Sequence, residues 1–349
     1  MRRILKRIVI SRVDNLGDVL LTLPVAGVLK ELLPSCTVIF LGKGYTKPLI
    51  DVCRHIDEFA DWDRIGILPA VRRVSAFREL QADIMIHVFP KKEIAGIAER
   101  AEIPERIGTT RRIYHHTTCN RLVKLSRRKS ELHEAQLNLK LLIPLGARDQ
   151  YRLDEIPLYY GLSPNSTLPG GLSELIDPDR FNLILHPKSK GSAREWGLEN
   201  YTRLIVLLPE KRYNIFVTGT DDEGMQMKEF LSSHQNRVTD LTGRLSLQEL
   251  IAFIARCNGI VAASTGPLHI AAALGKKAIG LYAPMHPIHP GRWAPLGVNA
   301  EFLVLDKECD DCRKSRDCRC IRSITAEMVA ERLQRKGILI CPITKISFQ

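Results

Sequence analysis

Residues 7–11, with the sequence Arg-Ile-Val-Ile-Ser, decide the class of fold. This short run of apolar and β-branched residues predicts a buried strand. A polar turn through Asp18 follows, and then a segment from about Leu20 to Leu33 with a helical pattern that ends near Pro34. Continuous apolar runs separated by helices are typical of a parallel sheet that is covered on both faces, so we predict an α/β fold.

The same pattern recurs in both halves of the chain. Apolar runs that predict strands lie at 37–41 and 83–88, and again at 182–186, 214–219, 259–263 and 277–282. From about Tyr151 to Pro178 the chain is rich in Pro, Gly, Ser and Asn, which is typical of a linker. At 349 residues the chain is longer than a single core usually supports. We therefore predict two Rossmann-like domains that face each other across a cleft: residues 1–155, a linker at 156–179, and residues 180–349.

Composition indicates a folded, basic protein. Hydrophobic residues make up 45% of the chain, and 51 Lys and Arg residues against 39 Asp and Glu residues leave a formal net charge of +12. The chain has no run near the ~20 apolar residues that a membrane-spanning helix needs, and its start lacks the apolar core of a signal peptide. The expected location is therefore the cytoplasm. The positive charge indicates an acidic partner: a nucleic acid, an anionic membrane surface or a phosphorylated substrate.

Basic residues crowd the stretch from 106 to 129. It contains Arg106, Arg111, Arg112, Arg121, Lys124, Arg127, Arg128 and Lys129, with His115 and His116 among them. The stretch is either a solvated face or a docking surface for an anionic acceptor, and on the second interpretation Arg111, Arg112 and Lys124 are candidate acceptor-binding residues. No strand with interleaved aromatic residues accompanies them, so nucleic acid is not the expected partner.

The nine cysteines carry two different signals. Five are scattered singly, which suits reduced thiols. The other four are Cys309, Cys312, Cys318 and Cys320. A structural zinc site, a disulfide and free thiols all remain open for this cluster.

Three loops carry the residue types of a catalytic site. The turn from Asp14 to Pro24 places Asp18 beside a glycine after the first strand, where it is either a helix N-cap or a base facing a ligand. The loop from His186 to Trp196 combines Ser, Gly and cations ahead of a helix, a combination that binds phosphate. The run from Ala263 to Gly275 places small residues and His269 at another predicted helix start, with a structural histidine as the alternative.

These motifs, taken in order, resemble glycosyltransferase family 9, the ADP-heptose:lipopolysaccharide heptosyltransferases. The resemblance rests on Gly17-Asp18 with Thr22 and Pro24, the loop at 186–196, Asp240-Leu241-Thr242-Gly243, and the run at 264–275. Ile103 to Gly108 and His133-Glu134 also look like the family's first domain. The order and spacing fit over nearly the whole chain.

The resemblance implies a GT-B fold, with the acceptor held mainly by the first domain and the ADP-sugar by the second. It assigns Asp18 as the catalytic base, with no metal and no cofactor. It implies that the donor is bound by Ser189, Arg194, Glu223, Ser264, Thr265, Gly266 and His269. The implied partners are ADP-heptose or a related nucleotide-sugar, a lipopolysaccharide core acceptor, and the anionic surface of the inner membrane. An Asp-x-Asp pattern at 61–63, which a metal-dependent transferase would use, is interpreted as surface.

Two positions depart from the family's pattern. Arg194 stands where Lys is common, although a guanidinium binds a diphosphate through two parallel hydrogen bonds. Ser264 stands where the family often has Asp, so the donor sugar is less closely specified. Two alternatives remain: a nucleotide-sugar epimerase or a transferase for another glycan on the same fold, and a non-catalytic protein that binds nucleic acid or a membrane surface.

Overall fold

A computed structural model describes residues 6–164, 168–286, 289–305, 309, 318–335 and 345–346. The chain divides into two compact units, Met1–Ser163 and Pro164–Gln349. The boundary between them lies inside the predicted linker. In the described parts of the chain, every helix is too short or too polar to cross a bilayer.

The first unit is built on a six-stranded, fully parallel sheet. Its strands are β1 (Arg7–Ser11), β2 (Thr37–Gly42), β3 (Glu58–Asp61), β4 (Ile84–His87), β5 (Glu105–Thr109) and β6 (Arg121–Val123). They lie in the order β3-β2-β1-β4-β5-β6. The order reverses between β1 and β4, and open α/β sheets bind ligands at the carboxyl ends of the strands at such a point.

Eight helices accompany this sheet in the described part of the unit. They are α1 (Leu16–Leu20), α2 (Leu23–Leu32), α3 (Lys47–Asp51), α4 (Trp62–Ile65), α5 (Ala70–Glu79), α6 (Lys92–Arg100), α7 (His115–Thr118) and α8 (Glu134–Leu139), with 3₁₀ turns at Gly44–Thr46, Lys140–Leu145 and Ile156–Tyr159. The last of these turns packs against α2 so closely that a Cβ on Gly27 would lie 2.3 Å from the carbonyl oxygen of Tyr159. Residues 156–163, which sequence assigned to the linker, therefore pack with the first unit.

The helix predicted from about Leu20 to Leu33 is confirmed as α2, Leu23–Leu32, but it begins later than expected because a separate short helix, α1, precedes it. Helix α1 ends at Leu20, and the amide of Leu21 donates to the carbonyl of Gly17. Pro24 then lies in the first turn of α2. Because proline has no amide hydrogen, it is accommodated at the start of a helix and breaks one in its interior.

The second unit repeats the design with a seven-stranded parallel sheet. Its strands are β7 (Phe181–His186), β8 (Tyr213–Val217), β9 (Val238–Asp240), β10 (Gly259–Ala263), β11 (Lys277–Tyr282), β12 (Ala300–Leu305) and β13 (Lys345–Ile346). They lie in the order β13-β12-β11-β10-β7-β8-β9. The order reverses between β7 and β10, so the second unit has its own switch point.

The described helices of the second unit complete its α/β layers. They are α9 (Gly170–Ser173), α10 (Leu198–Leu207), α11 (Asp221–Gln226), α12 (Lys228–Ser233), α13 (Leu247–Arg256), α14 (Gly266–Ala273), α15 (Pro290–Trp293), α16 (Arg319–Arg322) and α17 (Ala326–Gln334). Cys318 and Cys320 are buried in the core of this unit, and Cys309 packs against it. Cys312 lies outside the described residues, so the three alternatives for the cysteine cluster remain open.

Candidate active site

Asp18 lies in the loop and short helix that follow β1, at the switch point of the first sheet. It occupies the first turn of α1, whose N-cap is Asn15. The alternative that Asp18 caps this helix is therefore wrong. Its carboxylate instead receives a hydrogen bond from the guanidinium of Arg12, the residue directly after β1.

Arg12 joins three carboxylates. Its Nε donates to Asp14 Oδ1 over 2.7 Å, its Nη2 donates to Asp18, and its Nη1 donates to Glu134 Oε1 over 3.2 Å. The side chain of Arg12 is only 4% exposed, against 16% for Asp18 and 1% for Glu134. A planar guanidinium with donors on three nitrogens holds several carboxylates in a fixed arrangement, which one ammonium group does not.

A second layer of contacts holds this network in place. Arg127 Nε donates to Glu134 Oε1 over 2.9 Å, and Arg127 Nη2 donates to Asn138 Oδ1 over 2.8 Å. Asn138 also donates to the hydroxyl of Thr22, which in turn donates to the carbonyl oxygen of Asp18 over 2.8 Å. Helices α1, α2 and α8 therefore jointly orient the segment that carries Asp18.

Burial makes Asp18 more basic than an ordinary aspartate. Removal from water is the largest effect and raises the pKa of Asp18 to about 6, with the charges of Asp14 and Glu134 acting in the same direction and Arg12 opposing them. The surrounding carboxylates keep Arg12 cationic by raising its pKa above the ordinary value, even though burial opposes this. A carboxylate with a pKa near the working pH is suited to accept a proton in a reaction.

Two buried histidines lie near the same edge of the sheet. His87 ends β4 and pairs in register with Ser11, and neither of its ring nitrogens has a hydrogen-bond partner among the described residues. The ring of His115 lies 5.6 Å from that of His87. Burial lowers the pKa of His87 to about 3 and that of His115 to about 4, so both are neutral at pH 7.

The basic stretch at 106–129 is therefore not one surface. His115 is buried and neutral, Arg106 donates to the carbonyl of Thr118, and Arg127 belongs to the network around Glu134. The three candidate acceptor residues remain at the surface. Arg111 and Arg112 are exposed in the loop after β5, and Lys124 is exposed after β6, at the same edge of the sheet as the loop that carries Asp18.

The loop after β7 folds as a tight polar turn. Lys190 and Gly191 both have positive φ values, 51° and 81°, and Ser192 donates to the carbonyl of Ser189 over 2.8 Å. A non-glycine residue in this region of φ is uncommon and is often found at ligand sites. Trp196 anchors the far end of the loop, because its ring is fully buried and its Nε1 donates to the carbonyl of Ile324 over 2.7 Å.

Glu195 occupies hydrogen-bond donors that were expected to bind phosphate. Its Oε1 accepts from the amide of Ser189 over 3.2 Å and from the hydroxyl of Ser189 over 3.3 Å. Its Oε2 lies 3.1 Å from the ammonium nitrogen of Lys188. Arg194 is half-buried in the same loop. The loop thus already binds one carboxylate, so its hydrogen-bond donors are suited to binding an anion.

Glu223 follows β8 and has a clear local role. Its Oε2 accepts from the amide of Thr220 over 2.8 Å, while the hydroxyl of Thr220 accepts from the amide of Glu223. This reciprocal capping box starts α11. Glu223 is 6% exposed. Burial lowers the pKa of neighbouring His186, and the charge of Glu223 partly opposes that lowering.

The run after β10 forms the start of α14. Thr265 is its N-cap, Gly266 is the first helical residue and His269 lies in the first turn, buried to 3% exposure. The hydroxyl of Thr265 is also buried and has no hydrogen-bond partner among the described residues. Burial raises the pKa of Tyr282 on the neighbouring strand β11, and nearby Ser264 opposes that rise. A helix start with a buried, unsatisfied hydroxyl is suited to an anionic ligand.

The order of the strands brings the candidate donor-binding residues together. Strands β10, β7 and β8 are neighbours in the sheet, so the loops with Ser264 to His269, with Ser189 and Arg194, and with Glu223 leave it side by side. Sequence reasoning missed the roles of Arg12 and Glu195. A charged residue directly after an apolar strand is a signal for Arg12, whereas the contacts of Glu195 depend on how its loop closes.

Comparisons with known proteins agree with this architecture. The model of glycosyltransferase family 9 (heptosyltransferase) matches residues 71–320. A family 9 glycosyltransferase from Veillonella parvula has a similar structure, with a TM-score of 0.78, 19% identity, and coverage of 94% of this chain and 96% of that one. The ADP-heptose lipopolysaccharide heptosyltransferase II of Escherichia coli gives a TM-score of 0.73 at 21% identity, with 94% and 97% covered. Lipopolysaccharide heptosyltransferase 3 of Escherichia coli K12 is 22% identical over 278 residues, which is 76% of this chain and 79% of that protein.

The fold and the family match define the class of protein as a glycosyltransferase with a GT-B fold, as the sequence predicted. Since the family model covers well over half of the chain, the chain belongs to glycosyltransferase family 9. The alternative of a non-catalytic binding protein is therefore set aside.

Proposed function

We propose that this glycosyltransferase moves a heptose, or a related sugar, from an ADP-sugar to a lipopolysaccharide core acceptor. The observation that carries the proposal is the pair of switch points. One bears a buried carboxylate with a raised pKa, and the other bears three loops rich in donors for an anion. The relatives named as lipopolysaccharide heptosyltransferases support the choice of donor and acceptor.

In the proposed reaction the acceptor hydroxyl oxygen attacks the anomeric carbon of the donor sugar. The bond from that carbon to the diphosphate breaks on the opposite face, so the configuration inverts. The hydroxyl proton passes to the carboxylate of Asp18, and the electron pair of the broken bond leaves with ADP. A base near the acceptor oxygen contributes about 10²–10⁴-fold to such a step.

We assign the growing charge on ADP to fixed donors of the second unit, without a metal or cofactor. The diphosphate side of the donor would be contacted by Ser189, Arg194, Thr265, Gly266 and His269. Its ribose would be contacted by Glu223. Preorganised donors placed where charge develops stabilise a transition state because they need no rearrangement. Ser264 stands where the family often has Asp, so the donor site lacks that carboxylate, and a sugar related to heptose is proposed as a donor beside heptose itself.

The acceptor side is assigned to Arg111, Arg112 and Lys124. All three are exposed cations at the carboxyl edge of the sheet that bears Asp18. They would bind the acidic or phosphorylated sugars of an inner core. Such an acceptor is anchored in the inner membrane, so we also propose that this cytoplasmic enzyme makes peripheral contact with that anionic surface.

Donor choice tests the proposal directly. Incubation with ADP-heptose and a heptose-free lipopolysaccharide core is expected to release ADP and to add one sugar mass to the acceptor, measured by mass spectrometry. The product linkage is expected to have the configuration opposite to that of the donor by NMR, and a chelator is expected to leave the rate unchanged. Consumption of a UDP-sugar but not of ADP-heptose would instead establish the alternative of a transferase for another glycan.

Glu195 provides a test of the phosphate loop. Glu195→Gln keeps the size of the side chain and removes the charge that competes for Ser189 and Lys188. We expect ADP to bind about threefold to tenfold more tightly, because one charge-assisted contact no longer has to be displaced. Isothermal titration calorimetry measures the change, with Glu199→Gln as control, an exposed residue of the following helix. Weaker ADP binding in Glu195→Gln would mean that Glu195 orders the loop rather than competing with the ligand.

A further inference from the structure

Five successive exposed apolar residues run from the loop after α4 into the first turn of α5 in the first unit. They are Ile67, Leu68, Pro69, Ala70 and Val71. Ile67 is 84% exposed and Val71 is 78% exposed, although most residues of their type in this chain are buried. Single exposed apolar side chains need no explanation, but a contiguous apolar run often marks an interaction site.

Cations surround this run. Arg64 precedes it with a side chain that is 88% exposed, and exposed Arg72 follows it directly. The nearby acid Asp61 pairs with Arg64 over 3.5 Å, a contact of little strength at such exposure. Asp61 is half-buried, and the neighbouring exposed acid Asp63 accepts from the amide of Gly44. The run therefore has a basic border.

Helix packing extends the same surface. Helices α5, α6 and α7 follow β3, β4 and β5, so they begin at the carboxyl edge of the sheet, and they pack side by side. The ion pair of Arg73 with Glu93 joins α5 to α6. Lys91 and Lys92 lie at the start of α6, and Arg111, Arg112 and Ile113 precede α7, with Ile113 89% exposed. We call residues 64–72, 91–92 and 111–113 the basic apolar rim.

We infer that the basic apolar rim docks the enzyme onto an anionic lipid bilayer. This rests on the proposed function, in which the acceptor is anchored in a membrane. The alkyl side chains of Ile67, Leu68, Val71 and Ile113 enter the boundary between headgroups and acyl chains, and the surrounding Arg and Lys residues meet lipid phosphates. Membrane-surface segments combine an apolar face with basic residues in this way, and each cation near the surface strengthens the attraction.

Charge complementarity favours a bilayer over a protein partner. The chain has a formal net charge of +12, and its acceptor-side cations continue into the rim. The rim also lies at the edge of the sheet that carries the Asp18 loop. Docking there would bring the base to the level of the headgroups, where the sugars of a lipid-anchored acceptor begin.

Vesicle binding tests this with the full chain and with neither donor nor acceptor present. The double variant Ile67→Ser/Val71→Ser is compared with Val206→Ser, a matched change at a residue of the second unit that is 77% exposed. Wild type and Val206→Ser are expected to co-sediment with phosphatidylcholine–phosphatidylglycerol vesicles, and more weakly as salt rises. The double variant is expected to partition about tenfold or more weakly, because alkyl groups no longer enter the lipid. Equal partitioning of both variants would overturn the inference.

Two further readouts separate the other outcomes. Equally strong binding of wild type to pure phosphatidylcholine would remove the role of the cations. A vesicle-free dimer that the double variant disrupts, seen by analytical ultracentrifugation, would make the rim a protein interface and overturn the inference. The double variant is expected to transfer sugar to a water-soluble core fragment at the wild-type rate. Failure of transfer by every variant would count against the proposed function and leave the vesicle result intact.

Discussion

Asp18→Asn is expected to lower the rate of sugar transfer by about 10²–10⁴-fold while ADP binds as tightly as before. The amide keeps the shape of the side chain and cannot accept the acceptor's proton. Donor binding is unaffected because it is assigned to the second unit. Steady-state kinetics measures the rate and calorimetry measures the affinity.

Asp18→Asn is expected to lower activity without lowering the stability of the fold. Because the pKa of Asp18 is raised by the fold, the fold favours its protonated form. That contribution to stability is present below the ordinary pKa near 4 and is lost as pH rises through about 6. Neutral Asn therefore removes a cost, and the Tm of Asp18→Asn at pH 7 is expected to equal or exceed that of wild type.

Asp14→Asn is the matched control, because Asp14 bonds to the same guanidinium. It is expected to keep most of the activity. If Asp14→Asn were as inactive as Asp18→Asn, or if Asp18→Asn turned over normally, Asp18 would not be the base.

The pH profile of the wild type follows from the same carboxylate. In the proposed reaction the charged form of Asp18 accepts the proton, so kcat/KM is expected to rise with pH through a midpoint near 6 and to be lost below it. The charge of Asp14 raises the pKa of Asp18, so in Asp14→Asn this midpoint is expected to move to lower pH. An unchanged midpoint in that variant would show that another group controls the rate.

Arg12→Met is expected to lower the free energy of unfolding by about 3–5 kcal/mol, because it leaves buried carboxylates without their shared cation. Chemical denaturation measures this change. Arg12 also lowers the pKa of Asp18, so the acid limb of the rate profile is expected to move to higher pH in folded Arg12→Met. Arg12→Lys keeps the charge but cannot direct donors at three carboxylates, so an intermediate loss is expected.

A second substitution keeps this test informative if Arg12→Met folds poorly. Glu134→Gln removes the most buried of the three charges, and Arg127 still donates to that side chain. The double variant Arg12→Met/Glu134→Gln is expected to recover part of the lost stability. If the loss of unfolding free energy in the double variant equals the sum of the losses in Arg12→Met and Glu134→Gln, then Arg12 and Glu134 are not coupled.

Local patterns in the sequence predicted much of the fold. The apolar runs at 7–11 and 259–263 are strands with those bounds, and the run at 277–282 is as well. These runs are short, continuous and bounded by polar turns, so their conformation depends on nearby residues. The break at Leu21 and Thr22 was missed because hydrophobic periodicity continues through it, and only the proline two residues later marks the new helix.

The candidate site was predicted from the sequence only in part. Asp18, Ser189 and Thr265 lie next to or near a glycine in loops that follow strands, and a parallel sheet gathers such loops at one edge. The sequence by itself therefore determined the α/β class and the loops in which a site would form. Only the tertiary structure decided that Arg12 meets Asp14, Asp18 and Glu134, that His115 is buried and neutral, and that Glu195 bonds to Ser189. Contacts such as that of Arg12 with Glu134 join residues more than a hundred positions apart, and burial, which sets the pKa of Asp18, exists only once the chain has packed.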